Sequence, residues 1–391
     1  MENWRPQHYQ ASGRSQGIAP DVLRAAAQTA KAIVRVNPRL QPILTLRHLA
    51  YLTDCDYGYL RAVIGRGIEN PYRVFTIHKR PGPSGNARFR TICAPDSQLL
   101  KVQRWLATNV LNHATSVVHS ASKAFAPDCT LMKAAEPHCG ARWLIKVDVQ
   151  NFFESVSEIA AYRAFRSLGY QALVAFELAR LCTRLGHYTL RRGHAQWLRN
   201  KAGFVYKITK YNHSTGRMGH LPQGAPTSPM LANIAMGAAD AEFDTLARAA
   251  GMTYTRYADD LVFSTRDSGF TRDIASGIVG SAYRILGKYG FSPNVAKTEI
   301  VPPRARKVVL GLLVDEPSPR LPREFKEKMR MHLYYLQKGG IGPARHAAKR
   351  GFISVAGMRN VLYGLAAFAT QIEPACGASI RQGLDTIAWP T

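Results

Sequence analysis

Three aspartates carry the chemistry that this sequence could perform. Asp148 closes the apolar run WLIKVDV (143–149), and Asp259 and Asp260 stand side by side within YTRYADDLVFS. A carboxylate at the end of an apolar strand is costly unless something cationic holds it. Two adjacent carboxylates at a tight turn repel each other, and a shared divalent cation relieves that repulsion. Oxygen ligands of this kind suit hard Mg²⁺, with Mn²⁺ as a possible substitute. Two such ions, about 3.5–4 Å apart, can activate an attacking hydroxyl and stabilise a leaving pyrophosphate in an in-line displacement. Taken singly, an Asp-Asp pair is more often a plain polar turn, so the weight rests on the third acid and on what surrounds all three.

A strand and a hairpin must position these acids. WLIKVDV reads as a buried strand; MTYTRY (252–257) and LVFST (261–265) read as a tight hairpin around Ala258, Asp259 and Asp260. Helical spacing is predicted over 20–36, 45–64, 97–112, 157–168, 171–185 and about 271–289, while residues 1–20 look irregular. VFTIHKR (74–80) and ARFRTICA (87–94) read as strands around the turn PGPSGN. The loop LPQGAPTSP (221–229) opens a long apolar helix through about 249, VVLGLLV (308–314) belongs to a strand pair, and the tail from Pro322 is helical.

Charge narrows the partner. Fifty-two Lys and Arg against 26 Asp and Glu leave a formal +26, far beyond what solubility needs. A polyanion is implied, and nucleic acid fits better than a membrane: no basic amphipathic helix stands out. Between Glu177 and Asp240 there is no acidic residue, but Arg191, Arg192 and further cations alternate with Tyr188, Trp197, Phe204, Tyr206 and Tyr211. Cations neutralise phosphates and aromatic faces stack on unpaired bases; a solvated hairpin with ordinary strand aromatics is the plainer alternative. The N-terminus has no apolar signal region and no apolar run approaches bilayer length, so a cytoplasmic location is expected. Six scattered cysteines without a CxxC pair read as reduced thiols.

The ordered motifs resemble a known family. LIKVDVQNFFESV resembles motif A of reverse transcriptases, LPQGAPTSPMLANI motif B and YTRYADDLVFS motif C, in matching order and spacing. The resemblance implies an α+β right-hand polymerase with fingers, a palm built on a ferredoxin-like antiparallel sheet, and a helical thumb. It implies that Asp148, Asp259 and Asp260 are the catalytic, metal-binding triad for two Mg²⁺ ions. Phe153 matches the aromatic gate that excludes a 2′-hydroxyl, and Gln223 and Gly224 match the loop against nucleotide and template. Lys79, Arg88 and Arg90 resemble the fingertip cations that grip a triphosphate, Arg90 best of the three. Lys297, in NVAKTE, sits where polymerases place a general acid for pyrophosphate, although a solvated lysine fits nearly as well.

Most of the remaining chain resembles bacterial retron reverse transcriptases. The carriers are VHSASKAFAPDCTLMKAAEPHCG (118–140), RLPREFKEKMRMHLYYLQKGG (320–340) and SVAGMRNVLYGLAAFATQIEP (354–374). Ala134 stands where that pattern has Asn, with Ala135 and His138 keeping the rest, and Leu310 stands in the Thr place of Val-Thr-Gly. The implied domains are an N-terminal helical extension (1–60), fingers and the start of the palm (61–142), and palm with motif A (143–156). Fingers with a basic hairpin insertion (157–220), palm (221–316), and thumb with a C-terminal RNA-binding region (317–391) follow. The implied RNA contacts are His138, Arg191, Arg192, Arg323, Lys326, Lys328 and Arg330. The implied activity copies part of a structured noncoding RNA into a branched RNA–DNA product from dNTPs, beside a separate effector protein in antiphage defence. A group II intron-like, diversity-generating or other defence reverse transcriptase, or a silent RNA-binding scaffold, are the alternatives.

Overall fold

The computed structural model describes residues 6–68, 70–79, 88–185, 218–337 and 341–390. The basic segment from 186 to 217, with Arg191 and Arg192, lies outside them, as does the turn PGPSGN. Helices α1 (Pro6–Ser15) and α2 (Pro20–Val36) open the chain. The first was expected to be irregular; a tertiary contact overrides its weak local propensity. Gly13 lies against Leu23, where a Cβ would stand 2.3 Å from Leu23 Cδ2. The helical stretch 45–64 is two helices, α3 (Leu46–Thr53) and α4 (Tyr57–Ile64). Asp54, at φ 44°, ends the first, and the Asp56 carboxylate caps the second by accepting from Tyr59 N at 2.6 Å.

Strands β1 (Tyr72–Lys79) and β2 (Arg88–Pro95) form an antiparallel ribbon in register from Tyr72↔Pro95 to Lys79↔Arg88, followed by α5 (Ser97–Asn109). A short helix α6 (Leu131–Ala135) leads into β3 (Trp143–Gln150), then α7 (Glu158–Ser167) and α8 (Ala172–Cys182). After the undescribed segment come α9 (Ser228–Ala249), β4 (Thr253–Tyr257), β5 (Asp260–Thr265) and α10 (Arg272–Lys288). Strands β6 (Ser292–Pro293) and β7 (Glu299–Val301) complete a wholly antiparallel sheet in the order β4-β5-β3, with β6 and β7 sharing the far edge of β3.

Strand parity sorts this sheet into two faces. Ile145, Val147, Val149, Leu261 and Phe263 point to one side, into a core shared with Phe243 of α9 and Ile278 of α10. Leu144 and Val262 point to the other, into a second core with Val309, Leu312, Met329, Met358 and Leu362. Asp148 and Asp260 follow the same parity as Leu144 and Val262, so they emerge on the second face. Fully burying residues such as Phe243 or Leu144 contributes about 1.5–3 kcal/mol each, which fixes the register of the strands that carry the acids.

The second core joins the sheet to the C-terminal region. There β8 (Val308–Val309) and β9 (Leu312–Leu313) form a two-residue hairpin with Leu310 and Gly311 both at positive φ. Helices α11 (Arg323–Gln337), α12 (Gly342–Lys349), α13 (Val355–Ile372) and α14 (Pro374–Asp385) follow. Helix α11 buries Met329, His332 and Leu336 at helical spacing, which leaves Arg323, Lys328 and Arg330 exposed.

Candidate active site

The register places Asp148 of β3 opposite Asp260 of β5, and residues facing each other across antiparallel strands share a face. Asp259 occupies the two-residue turn between Tyr257 and Asp260, and its carbonyl accepts from Val149 N at 2.9 Å. That turn is held in an unfavourable backbone state. Ala258 sits at φ 55° while Asp259 does not share the positive sign, so the glycine-favouring first position of the hairpin turn is filled by a residue with a Cβ. Such a residue costs roughly 1–2 kcal/mol and persists only where its surroundings hold it.

The three acids differ in environment. The buried Asp148 carboxylate forms an ion pair through Oδ1 with Lys297 Nζ, and its Oδ2 accepts from Asn294 Nδ2 at 3.0 Å. Asn294 N also donates to Asp148 O at 2.7 Å, so one residue grips backbone and side chain together. Asp260 is open to solvent along one edge but lodged among protein atoms on the other. Burial, and then the charges of Asp259 and Asp148, push its carboxyl up to about 6. Burial and Asp148 also raise Asp259, while Lys297 and Arg90 pull it back.

This balance bears on the metal. Among the described residues, no three carboxylate, imidazole or thiol groups already stand close enough together to hold an ion. The Lys297 ammonium sits on Asp148 instead. The donor set nevertheless fits a hard divalent cation: it is all oxygen, and two of its three carboxyls are raised, first by burial and then by neighbouring negative charge that a cation would neutralise.

The other candidate residues sit on β2, on the loop before α9 and on the segment after β3. Arg90 is exposed on β2 opposite Ile77, and its charge acts on Asp259. Lys79 pairs with Arg88 at the end of the ribbon, and their side chains lie outside what is described. The Gln223–Gly224 loop is tied to β2, with Cys93 N donating to Gln223 O at 2.7 Å. Gly224 is required there: its φ is +109°, and a Cβ would stand 2.8 Å from Ile92 Cγ2. Ser228 Oγ donates to Pro222 O at 2.7 Å and closes the loop onto the start of α9. Phe153 is half-buried, its ring centroid 5.4 Å from Phe152 and 6.1 Å from Phe125.

One expected RNA contact is corrected. His138 is fully buried, with Nδ1 2.7 Å from Ser264 Oγ and Nε2 2.7 Å from Thr255 Oγ1. Burial pushes it down to about 4, so it is a neutral latch between β4 and β5 and cannot reach a phosphate. The α11 cations are exposed or half-buried, but two are spoken for: Arg323 pairs with Glu327 at 2.6 Å and Lys326 with Glu373 at 2.7 Å. Arg330 lines an open groove with Arg306, Arg320 and Leu313, and Lys328 is exposed nearby on the same helix. Sequence reasoning missed Asn294; its only signal was its place three residues before Lys297.

The family described as reverse transcriptase (RNA-dependent DNA polymerase) matches residues 77–314. The retron Ec86 reverse transcriptase of Escherichia coli is 29% identical over 286 residues, covering 72% of this chain and 75% of that protein. The retron Mx162 reverse transcriptase of Myxococcus xanthus is 29% identical over 317 residues, covering 78% of this chain and 59% of that protein. The structure of telomerase from Candida albicans in complex with a fragment of telomeric RNA aligns with a TM-score of 0.40 and 13% identity. It covers 79% of this chain and 54% of that one. No helix among the described residues is long and apolar enough to cross a membrane.

Proposed function

Because the chain belongs to the reverse transcriptase family and is of the retron type, we propose that Asp148, Asp259 and Asp260 are the catalytic acids of this RNA-directed DNA polymerase. The facing of Asp148 and Asp260 across β3 and β5, with Asp259 in the adjoining turn, carries this reading. When bound between these carboxylates, two Mg²⁺ ions, or Mn²⁺, lower the pKa of a primer hydroxyl and neutralise a leaving pyrophosphate. The residues supply the rest. Arg90, within electrostatic reach of Asp259, holds the triphosphate of a dNTP from the β1–β2 ribbon. Phe153, packed from behind by Phe152, stands under the sugar and excludes a 2′-hydroxyl by collision. Gln223 and Gly224 present backbone to the nucleotide and template. Lys297, paired with Asp148, would donate a proton toward the departing pyrophosphate.

The substrate is a structured noncoding RNA, copied in part into a branched RNA–DNA product in the bacterial cytoplasm, beside a separate effector protein in antiphage defence. The retron relatives and the +26 charge support this reading. Lys328 and Arg330 are the preferred phosphate contacts on the C-terminal side, ahead of Arg320, Arg323 and Lys326, which pair with Glu373, Glu327 and Glu373. Sequencing the nucleic acid that accompanies the purified protein tests it. One RNA species joined to short DNA is the expected finding; bulk cellular RNA alone would redirect the assignment to another reverse-transcriptase class.

A further inference from the structure

Arg256 is fully buried two residues before Ala258, on the strand that leads into the catalytic turn. Its Nε donates to Asp240 Oδ1 at 2.8 Å and one terminal nitrogen to Asp240 Oδ2 at 2.7 Å, a forked pair with no exposure on either side. The other terminal nitrogen donates at 3.1 Å to Asn233 Oδ1 and at 3.1 Å to the carbonyl of Ala258. Asp240 and Asn233 both belong to α9, the helix that the Gln223–Gly224 loop opens into. Tyr254 Oη adds a bond to Asp240 Oδ1 at 2.8 Å.

An ion pair buried to this degree is weak evidence for stability, because desolvation offsets most of the attraction. Its geometry suggests another use. The turn residue it grips is the one at positive φ, where an alanine does not remain unaided. The guanidinium also lies 5.8 Å from the centroid of Phe152, which backs the sugar-gate residue Phe153. Its backbone is fixed as well: Arg256 N donates to Ala121 O at 2.9 Å and Lys123 N to Arg256 O at 2.7 Å.

We propose that Arg256, anchored by Asp240, is a positioning residue that clamps the strained Ala258 turn to α9 and so fixes Asp259 and Asp260 for cation binding. It touches neither substrate nor the reacting atoms; it acts by denying the turn its relaxed conformations. This inference rests on the reading of Asp259 and Asp260 as the catalytic acids.

The test removes the clamp without leaving a buried charge. In the full chain, Arg256→Met combined with Asp240→Leu and Tyr254→Phe exchanges the network for apolar groups of similar size, a change that generally preserves stability. Thermal unfolding should be unchanged, whereas kcat for primer extension should fall by about ten- to a hundredfold. KM for dNTP should change little, and the Mg²⁺ concentration at half-maximal rate should rise. Adding Ala258→Gly, which takes positive φ without strain, should recover much of the lost kcat. A purely structural pair would give neither the divalent shift nor the glycine rescue. A folded triple variant with wild-type kcat and Mg²⁺ dependence overturns the clamp. Should the triple variant not fold, Arg256→Lys decides: it keeps a charge beside Asp240 but cannot fork to Ala258, so a retained melting midpoint with reduced kcat is expected and full kcat overturns the proposal. Activity in Asp259→Ala/Asp260→Ala would instead overturn the assignment of the acids; loss there with full activity in the clamp variants would overturn the clamp alone.

Discussion

Gly224→Ala offers a perturbation whose cost can be worked from the structure. The residue has φ +109°, outside the range that side-chain-bearing residues adopt, which costs about 1–3 kcal/mol. The new methyl would stand 2.8 Å from Ile92 Cγ2, an overpacking that costs about 1–3 kcal/mol more. The loop can escape by moving, but doing so breaks the 2.7 Å bond between Cys93 N and Gln223 O and detaches Gln223 from β2. At about 1.4 kcal/mol per decade, even the low end corresponds to a loss of roughly thirtyfold in kcat/KM, with a hundredfold loss well within range. Single-nucleotide primer extension on an RNA template, run with a thermal melt, measures it. Ile92→Ala in the same chain removes the collision but not the backbone strain, so at the low end the double variant should recover roughly fivefold of the thirtyfold loss and remain below wild type. A Gly224→Ala enzyme within about threefold of wild type would refute the reasoning, since neither the backbone nor the contact would then matter.

Three further outcomes follow from the same geometry. Asp260 holds its proton more tightly folded than unfolded, with its carboxyl at about 6 against an ordinary 3.8. Its stabilising effect is therefore complete below about pH 4 and lost as pH rises through about 6. In chelator, Asp260→Asn should raise the melting midpoint at neutral pH and give no gain near pH 4; an unchanged midpoint at both would contradict the raised carboxyl. Phe153→Val should raise rNTP relative to dNTP incorporation by about tenfold or more, read from competing single-nucleotide extensions, and unchanged selection would return Phe153 to an ordinary packing role. Lys328→Glu/Arg330→Glu should weaken RNA binding and flatten its salt dependence, by roughly one unit of log–log slope for each phosphate contact removed. An unaltered slope would move recognition off this helix.

What was legible in the sequence was local. The Asp148 strand, the hairpin around Asp259 and Asp260 and the long helix behind Gln223 are written in short apolar periods and turn residues, and the strand register then sets Asp148 against Asp260. What was not legible depends on residues far apart in the chain. Asn294 reaches Asp148 across 146 positions, and only its place three residues before Lys297 hints at that contact. His138 was read as an RNA contact from the resemblance of its segment; only the closure of β4 on β5 makes it an interior latch. Arg256 and Asp240 read as ordinary charges until a sheet and a helix bury them together. Helix α1 lacks a strong local pattern and takes its shape from α2, while the break at Asp54 was hidden by continuous helical spacing on either side.

The central claim is that Asp148, Asp259 and Asp260 hold the cations of nucleotide transfer and not the nucleic acid. Primer extension on an RNA template, with RNA affinity measured in parallel, tests it in the Asp259→Ala/Asp260→Ala enzyme. Incorporation of dNTP should vanish at any Mg²⁺ concentration while RNA binding stays near the wild-type level. Mg²⁺-dependent DNA synthesis persisting in that variant would contradict the account.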